Sequence, residues 1–251
     1  MAEHVQIARL PVEIYADRPA MGAAAARAVA QELKQRLARQ DRVRMVFAAA
    51  PSQLEFLAAL VAQTDIDWSR VTAFHMDEYI GLAADSPARF SHFLDVHLFD
   101  KVKPGQVHRI RPAPDPRQCC EHYAQRLADA PLDVVCLGIG ENGHLAFNDP
   151  PVADFADPLR VKIVTLDETC RQQQVNDGCF PTLASVPSQA ITLTIPALLS
   201  ADRLFCIVPG ARKTQALQAL RHAPLSTDWP ATSLREHPHC VLYTDREGWG
   251  D

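Results

Sequence analysis

Two short runs gather the groups best suited to acid–base chemistry. The first is Val71-Thr72-Ala73-Phe74-His75-Met76-Asp77-Glu78-Tyr79-Ile80-Gly81-Leu82. The second extends from Asp133 to Pro151 and holds Gly138, Gly140, Glu141, Asn142, Gly143, His144 and Asp149. Each begins as an apolar stretch that reads as a buried strand of a parallel sheet. Each then breaks into a polar cluster with glycine, which lets the backbone turn sharply and approach a ligand. In open α/β sheets the carboxyl ends of strands carry the chemistry. Asp77 and His144 are therefore candidates to meet over one cleft. A carboxylate in a partly dry cleft has a raised pKa and suits a general base. A histidine titrating near neutrality can both take and deliver a proton. Its second nitrogen needs an orienting partner, and Asn142 and Asp149 are close in sequence. Alone, Asp77 would read as a turn residue and His144 as a loop residue. Together the two runs favour chemistry.

Other readings of these residues are weaker. Gly138-x-Gly140-x-x-Gly143 has dinucleotide-fingerprint spacing, but it leads into His144 and an Asn-Asp-Pro-Pro loop instead of an apolar helix. His75, Asp77, His144 and Asp149 could form a two-histidine carboxylate metal site. No tight ligand motif such as His-Glu-x-x-His supports it, so no metal is expected. The chain has 251 residues, 47% hydrophobic and 22% charged, with a net charge of -5. That composition is globular and sufficient for a sizeable core, and one domain over residues 1–251 is the simplest division. The negative balance argues against nucleic acid or an anionic membrane as partner, so an anionic ligand must be met by local cations. No apolar run reaches membrane-spanning length and the start is polar. The seven cysteines lack Cys-x-x-Cys spacing, and several, Cys136, Cys206 and Cys240, lie in apolar runs and read as reduced core residues, with the cytoplasm as the natural compartment.

The elements that position these groups follow from periodicity. Strands are expected at Val12–Tyr15, Val43–Ala49, Val71–Phe74, Leu132–Leu137, Val161–Thr165, Ile191–Thr194, Leu204–Val208 and Cys240–Tyr243. Asp17 is placed to cap a helix over about 19–40, with Val29, Leu33 and Leu37 on its apolar face. Ser86 reads as the cap of a helix through Phe99. Further helices are expected over about 54–63 and 117–129, after Asp167, and up to Leu220. Alternating strands and helices predict an α/β fold with a largely parallel sheet covered on both faces. The turn Ala50-Pro51-Ser52-Gln53 between strand and helix reads as an anion site, because free backbone N–H groups point outward there.

Met76-Asp77-Glu78-Tyr79-x-Gly81-Leu82 and Gly138-x-Gly140-x-Asn142-Gly143-His144-x-Ala146-Phe147-Asn148 together resemble the glucosamine-6-phosphate deaminase (isomerase) family, which is related in fold to the 6-phosphogluconolactonases. The resemblance covers roughly residues 43–243. It implies a three-layer αβα sandwich with a Rossmann-like sheet, acting without a cofactor on a small-molecule sugar phosphate. His144 would open the sugar ring, with Asn142 and Asp149 orienting it, and Asp77 would move a proton from C2 to C1. Ser52, Glu78, Gly143, Arg171 and Lys213 would bind substrate. A homo-oligomer is compatible with the sequence. The chain departs from the family pattern at four places. Ala50-Pro51-Ser52-Gln53 replaces a Gly-Gly-(Ser/Thr)-Pro phosphate loop, and Pro51 contributes no N–H. Asn142 stands where Asp is frequent. Asp149 replaces Glu, which draws the charge back by one methylene. Asn176 occupies the place of a phosphate-binding arginine. A lactonase-type hydrolase and a non-catalytic sugar-phosphate sensor are the alternative readings.

Overall fold

A computed structural model describes residues 2–250. Its organising layer is an eight-stranded sheet built from β1 (Glu3–Ile7), β2 (Leu10–Tyr15), β3 (Val43–Phe47), β4 (Val71–His75), β6 (Gln106–His108), β7 (Val134–Leu137), β10 (Arg203–Val208) and β11 (Cys240–Asp245). The spatial order is β1-β2-β11-β10-β7-β3-β4-β6. Every pairing is parallel except the β1/β2 hairpin at one edge.

Side chains alternate along a strand, so a sheet buried on both faces needs apolar residues at every position. β7 shows the consequence. Val134 and Cys136 enter one core with Met45, Phe47, Phe205 and Ile207. Val135 and Leu137 enter a second core with Val46, Phe74, Cys206 and Leu242. The first core is closed by α1 (Arg18–Leu37) and α2 (Leu54–Val61), through Met21, Val29, Leu33, Phe56 and Leu57. The second is closed by α5 (Pro116–Ala128), α7 (Ile195–Leu199) and α8 (Thr214–His222), through Tyr123, Leu127, Leu198, Leu217 and Leu220. Each fully buried leucine contributes about 1.5–3 kcal/mol of transfer free energy. The three-layer α/β architecture is the one expected. Asp17 caps α1 by accepting the Ala20 N–H at 2.8 Å, as its position before the helix predicts. Among the described residues no helix is long and apolar enough to cross a membrane.

Three expectations are corrected. The first strand is the hairpin β1/β2, turned at Ala8 with φ 51°, which carries none of the Asn-Gly chemistry that marks such turns. β8 (Val161–Thr165) and β9 (Gln189–Leu193) do not join the parallel sheet. They pair antiparallel with each other, and β9 pairs antiparallel with β5 (Asp77–Tyr79), forming a separate three-stranded sheet. Ser86 does not cap the following helix. Its Oγ accepts the Ala88 N–H in a turn, and α3 (Phe90–Leu94) starts later. The acceptor at that helix start is Glu78, which takes the N–H groups of Phe90 and Ser91. After α3 the chain continues through a wider π-helical turn, Asp95–Phe99, into α4 (Asp100–Val102).

Candidate active site

The small sheet explains how Asp77 and the loop after β7 find each other. Asp77 is paired across the sheet with Thr192. The Thr192 hydroxyl accepts the Phe147 N–H at 3.0 Å. Asn148 donates to Leu145 O and Leu193 O, both at 2.8 Å. The loop that carries His144 is thus stitched to the strand beside Asp77. From the other side, His75 fixes the Asp77 backbone. The Ile110 N–H donates to His75 Nε2 at 2.8 Å, so Nδ1 carries the proton and donates to the Asp77 carbonyl at 2.9 Å. Burial lowers the His75 pKa and keeps the ring neutral. Both its nitrogens are occupied, which removes it from any metal set.

The resulting cleft is open to solvent and is lined by Asp77, His144, Ser52 and Lys213 among others. Asp77 is 8% exposed and its carboxylate makes no hydrogen bond among the described residues. Burial pushes its pKa well above the ordinary carboxylate value, and the neighbouring Glu78 charge adds to the rise.

His144 is oriented by two acceptors. Its Nδ1 lies 2.8 Å from Asn142 Oδ1 and 2.9 Å from Asp149 Oδ1. Nδ1 therefore carries the ring proton, and Nε2 keeps the lone pair. Asn142 Nδ2 donates to Asp149 Oδ1 at 3.1 Å, which closes the triangle. The amide suits this place because it offers both a donor and an acceptor. Burial raises the Asp149 pKa, but the His144 ring, the Asn142 amide and the Cys170 thiol outweigh it and leave the carboxyl below its ordinary value. The shorter Asp149 side chain still reaches His144, so the retraction expected from losing a methylene does not break the contact. Gly140 makes room for the imidazole. A Cβ there would stand 2.1 Å from His144 Cε1 and 2.3 Å from both ring nitrogens. Gly143 adopts φ 82°, which favours glycine, and its carbonyl accepts the Ala231 N–H.

Lys213 ends the short helical turn Ala211–Lys213 before α8 and is 7% exposed. Burial lowers its pKa, and no carboxylate among the described residues lies within salt-bridge distance. Arg212 points outward and pairs with Asp177. Ser52 accepts from Gln53 Nε2 at 3.3 Å, and Gln53 in turn holds Ile207 O at 3.1 Å. The expected backbone anion site at this turn is reduced. The Gln53 N–H goes to Ala50 O and the Leu54 N–H to Pro51 O, because residues 51–53 close a 3₁₀ turn.

Three expected binding residues do not line the cleft. Glu78 is fully buried and accepts from Tyr79 N, Phe90 N, Ser91 N and Ser91 Oγ, with Arg89 at 3.6 Å. It holds the start of α3. Glu78→Ala would orphan these buried donors and is expected to cost roughly 2–4 kcal/mol in urea unfolding. A loss below about 0.5 kcal/mol would contradict the assignment. Arg171 lies in α6 (Glu168–Asn176) and donates to Leu183 O at 2.8 Å and Val186 O at 2.9 Å. It ties down the following loop. Gly143 serves the backbone turn. In their place α6 supplies Gln173 and Gln174. Sequence reasoning passed them over because glutamine is ordinary on a solvated helix face. Cys170, His144 and Asp149 offer ligand-type atoms within 4.8 Å of one another. Burial and the nearby Asp149 charge push the Cys170 thiol well up, so the protonated form is favoured in the free protein.

The family profile described as glucosamine-6-phosphate isomerases/6-phosphogluconolactonase matches residues 16–242. The chain belongs to this family of sugar-phosphate enzymes. A glucosamine-6-phosphate deaminase from an Exiguobacterium species is 35% identical over 184 residues, 73% of this chain and 70% of that protein. One from Streptococcus pneumoniae is 32% identical over 216 residues, 86% of this chain and 90% of that protein. A solved structure of a monomeric glucosamine-6-phosphate deaminase superposes with a TM-score of 0.85 at 28% identity, covering 95% of this chain and 98% of that one.

Proposed function

We propose that the protein converts glucosamine 6-phosphate to fructose 6-phosphate and ammonia, or a closely related amino-sugar phosphate to the corresponding ketose phosphate and ammonia. One observation carries the reading. A buried, unpaired carboxylate, Asp77, opens on the same cleft as an imidazole held by Asp149 and Asn142. Similarity to the deaminases named above supports the choice of substrate class.

The chemistry needs only these side chains and water. His144 Nε2 takes the proton of the anomeric hydroxyl and returns one to the ring oxygen, which opens the ring. Asp149 stabilises the imidazolium formed in passing. Asp77 then removes the C2 proton and delivers it to C1, turning the amino aldose into a ketose imine. Water adds to the imine carbon and ammonia leaves. A base whose pKa is raised by burial is matched to proton abstraction near neutrality, and substrate ammonium beside it favours the ionised form. Lys213 and Ser52 are placed to receive the phosphate. No step calls for a cofactor or a metal.

All the residues assigned to the reaction come from one chain. Residues 1–251 act as one catalytic domain in this account, and the free cysteines suit a reducing cytoplasm. Ammonia release from glucosamine 6-phosphate, with glucosamine and galactosamine 6-phosphate alongside, tests the proposal. Turnover of glucosamine 6-phosphate well above unphosphorylated glucosamine is the expected result. Silence on all three with folded protein would overturn it in favour of lactone hydrolysis or sensing.

A further inference from the structure

The cleft that would receive the phosphate holds little positive charge. Among the residues lining the cleft, Lys213 is the only cation apart from the titratable His144. The other polar groups lining the cleft, apart from Asp77 and His144, are neutral: Ser52, Gln53, Gln173 and Gln174. Other basic residues nearby are committed elsewhere. Arg18 pairs with Glu55, Arg212 with Asp177, and Arg171 with two carbonyls. Burial lowers the Lys213 pKa against the opposing charges of Asp177, Glu141 and Cys170, Arg212 adds to the lowering, and Asp77 and His144 line the same cleft.

A phosphate monoester dianion beside a single buried ammonium would carry one charge that no other lining cation offsets, and such charges are costly where they are drawn out of water. The monoanion would carry none. The two glutamines differ in a way that bears on this. Gln173 Oε1 is spent on the Glu141 N–H at 2.8 Å. Gln174 is 7% exposed and its side chain makes no hydrogen bond among the described residues. It therefore has a free donor and a free acceptor facing the cleft. An amide oxygen can accept the hydrogen of a P–OH group, which a guanidinium has no lone pair to do.

We infer that Gln174 is a specificity-determining residue that, with Lys213 and Ser52, selects the singly charged form of a sugar phosphate. This rests on the proposed substrate class and adds the charge state that the site takes. Lys213 neutralises the single charge, Ser52 and the Gln174 amide N–H donate to phosphate oxygens, and Gln174 Oε1 accepts the P–OH hydrogen.

The test is calorimetric binding of sorbitol 6-phosphate and sorbitol 6-sulfate from pH 5 to 8.5. Both lack the amine. The sulfate ester is a monoanion throughout and carries no acidic hydrogen. It reports any loss of binding caused by titration of Lys213, His144 or Asp77 alone. The phosphate ester loses its second proton near pH 6, with an apparent pKa of about 6. The expected result is a phosphate-to-sulfate affinity ratio that falls about tenfold per pH unit above that value. Gln174→Arg, which supplies a second cation and removes the acceptor, is expected to flatten the ratio and to strengthen phosphate binding at pH 8. A ratio independent of pH in the unaltered protein would overturn the inference. Ammonia release read on the same protein separates the two claims. A flat ratio with ammonia formed defeats this inference alone, whereas no binding of either ester and no ammonia defeats the substrate class as well.

Discussion

Asp77→Asn is expected to lower turnover by about 10²–10⁴-fold while leaving the sugar phosphate bound. The amide is nearly isosteric and loses only the capacity to accept a proton. Stability should move the other way. The folded-state pKa of Asp77 is raised, chiefly by burial and further by Glu78. Such a group contributes stability that is fully present below its unfolded pKa and is lost as pH rises through the folded value. At pH 8 the unaltered protein therefore bears the cost of a buried charge, and the neutral variant does not. The variant should melt higher at pH 8, by about 2–4 °C for each kcal/mol relieved, and the two should converge near pH 4. Ammonia kinetics, calorimetric binding and melting at the two pH values read the three parts. Retained turnover would remove Asp77 from the base role, and a lower melting temperature at pH 8 would contradict its unpaired burial.

Gly140→Ala is expected to cost about 10²-fold in kcat through His144 alone. The added methyl would sit 2.1 Å from the imidazole, well inside van der Waals contact. The loop has little room to yield. Gly140 N–H donates to the His144 carbonyl and the Gly140 carbonyl accepts from Gly143 N–H, so its backbone is held at both ends. The ring must leave Asp149 and Asn142, and with it goes the tautomer that ring opening requires. Lys213 and Ser52 stand on other elements, so a ligand should still bind. Unchanged kcat in a folded variant would mean that the observed imidazole position is not the working one.

The residues that perform chemistry were more legible than those that support them. Asp77 and His144 stand out because strand ends, glycines and titratable groups coincide in short runs. Glu78 shared that run and was read as a substrate ligand, but its partners at Phe90 and Ser91 lie 12 and 13 residues away. The tautomer of His75 depends on Ile110, 35 residues on, and the placing of Phe147 depends on Thr192 across the small sheet. Local pattern carries no trace of such contacts. β8 and β9 are apolar runs like those of the main sheet, so periodicity gives them as strands without revealing that they pair antiparallel elsewhere. Arg171 drew attention because cations bind phosphate. The helix instead turns the amides of Gln173 and Gln174 into the cleft.

The most direct test follows a hydrogen. Glucosamine 6-phosphate labelled with deuterium at C2 would be converted in ordinary water and the ketose examined by mass spectrometry and NMR. The account predicts that label is found at C1, diluted by solvent hydrogen exchanged on the Asp77 carboxylate that carries it, and that Asp77→Asn abolishes the transfer. Label reaching C1 at an unchanged rate in the Asp77→Asn protein would contradict it.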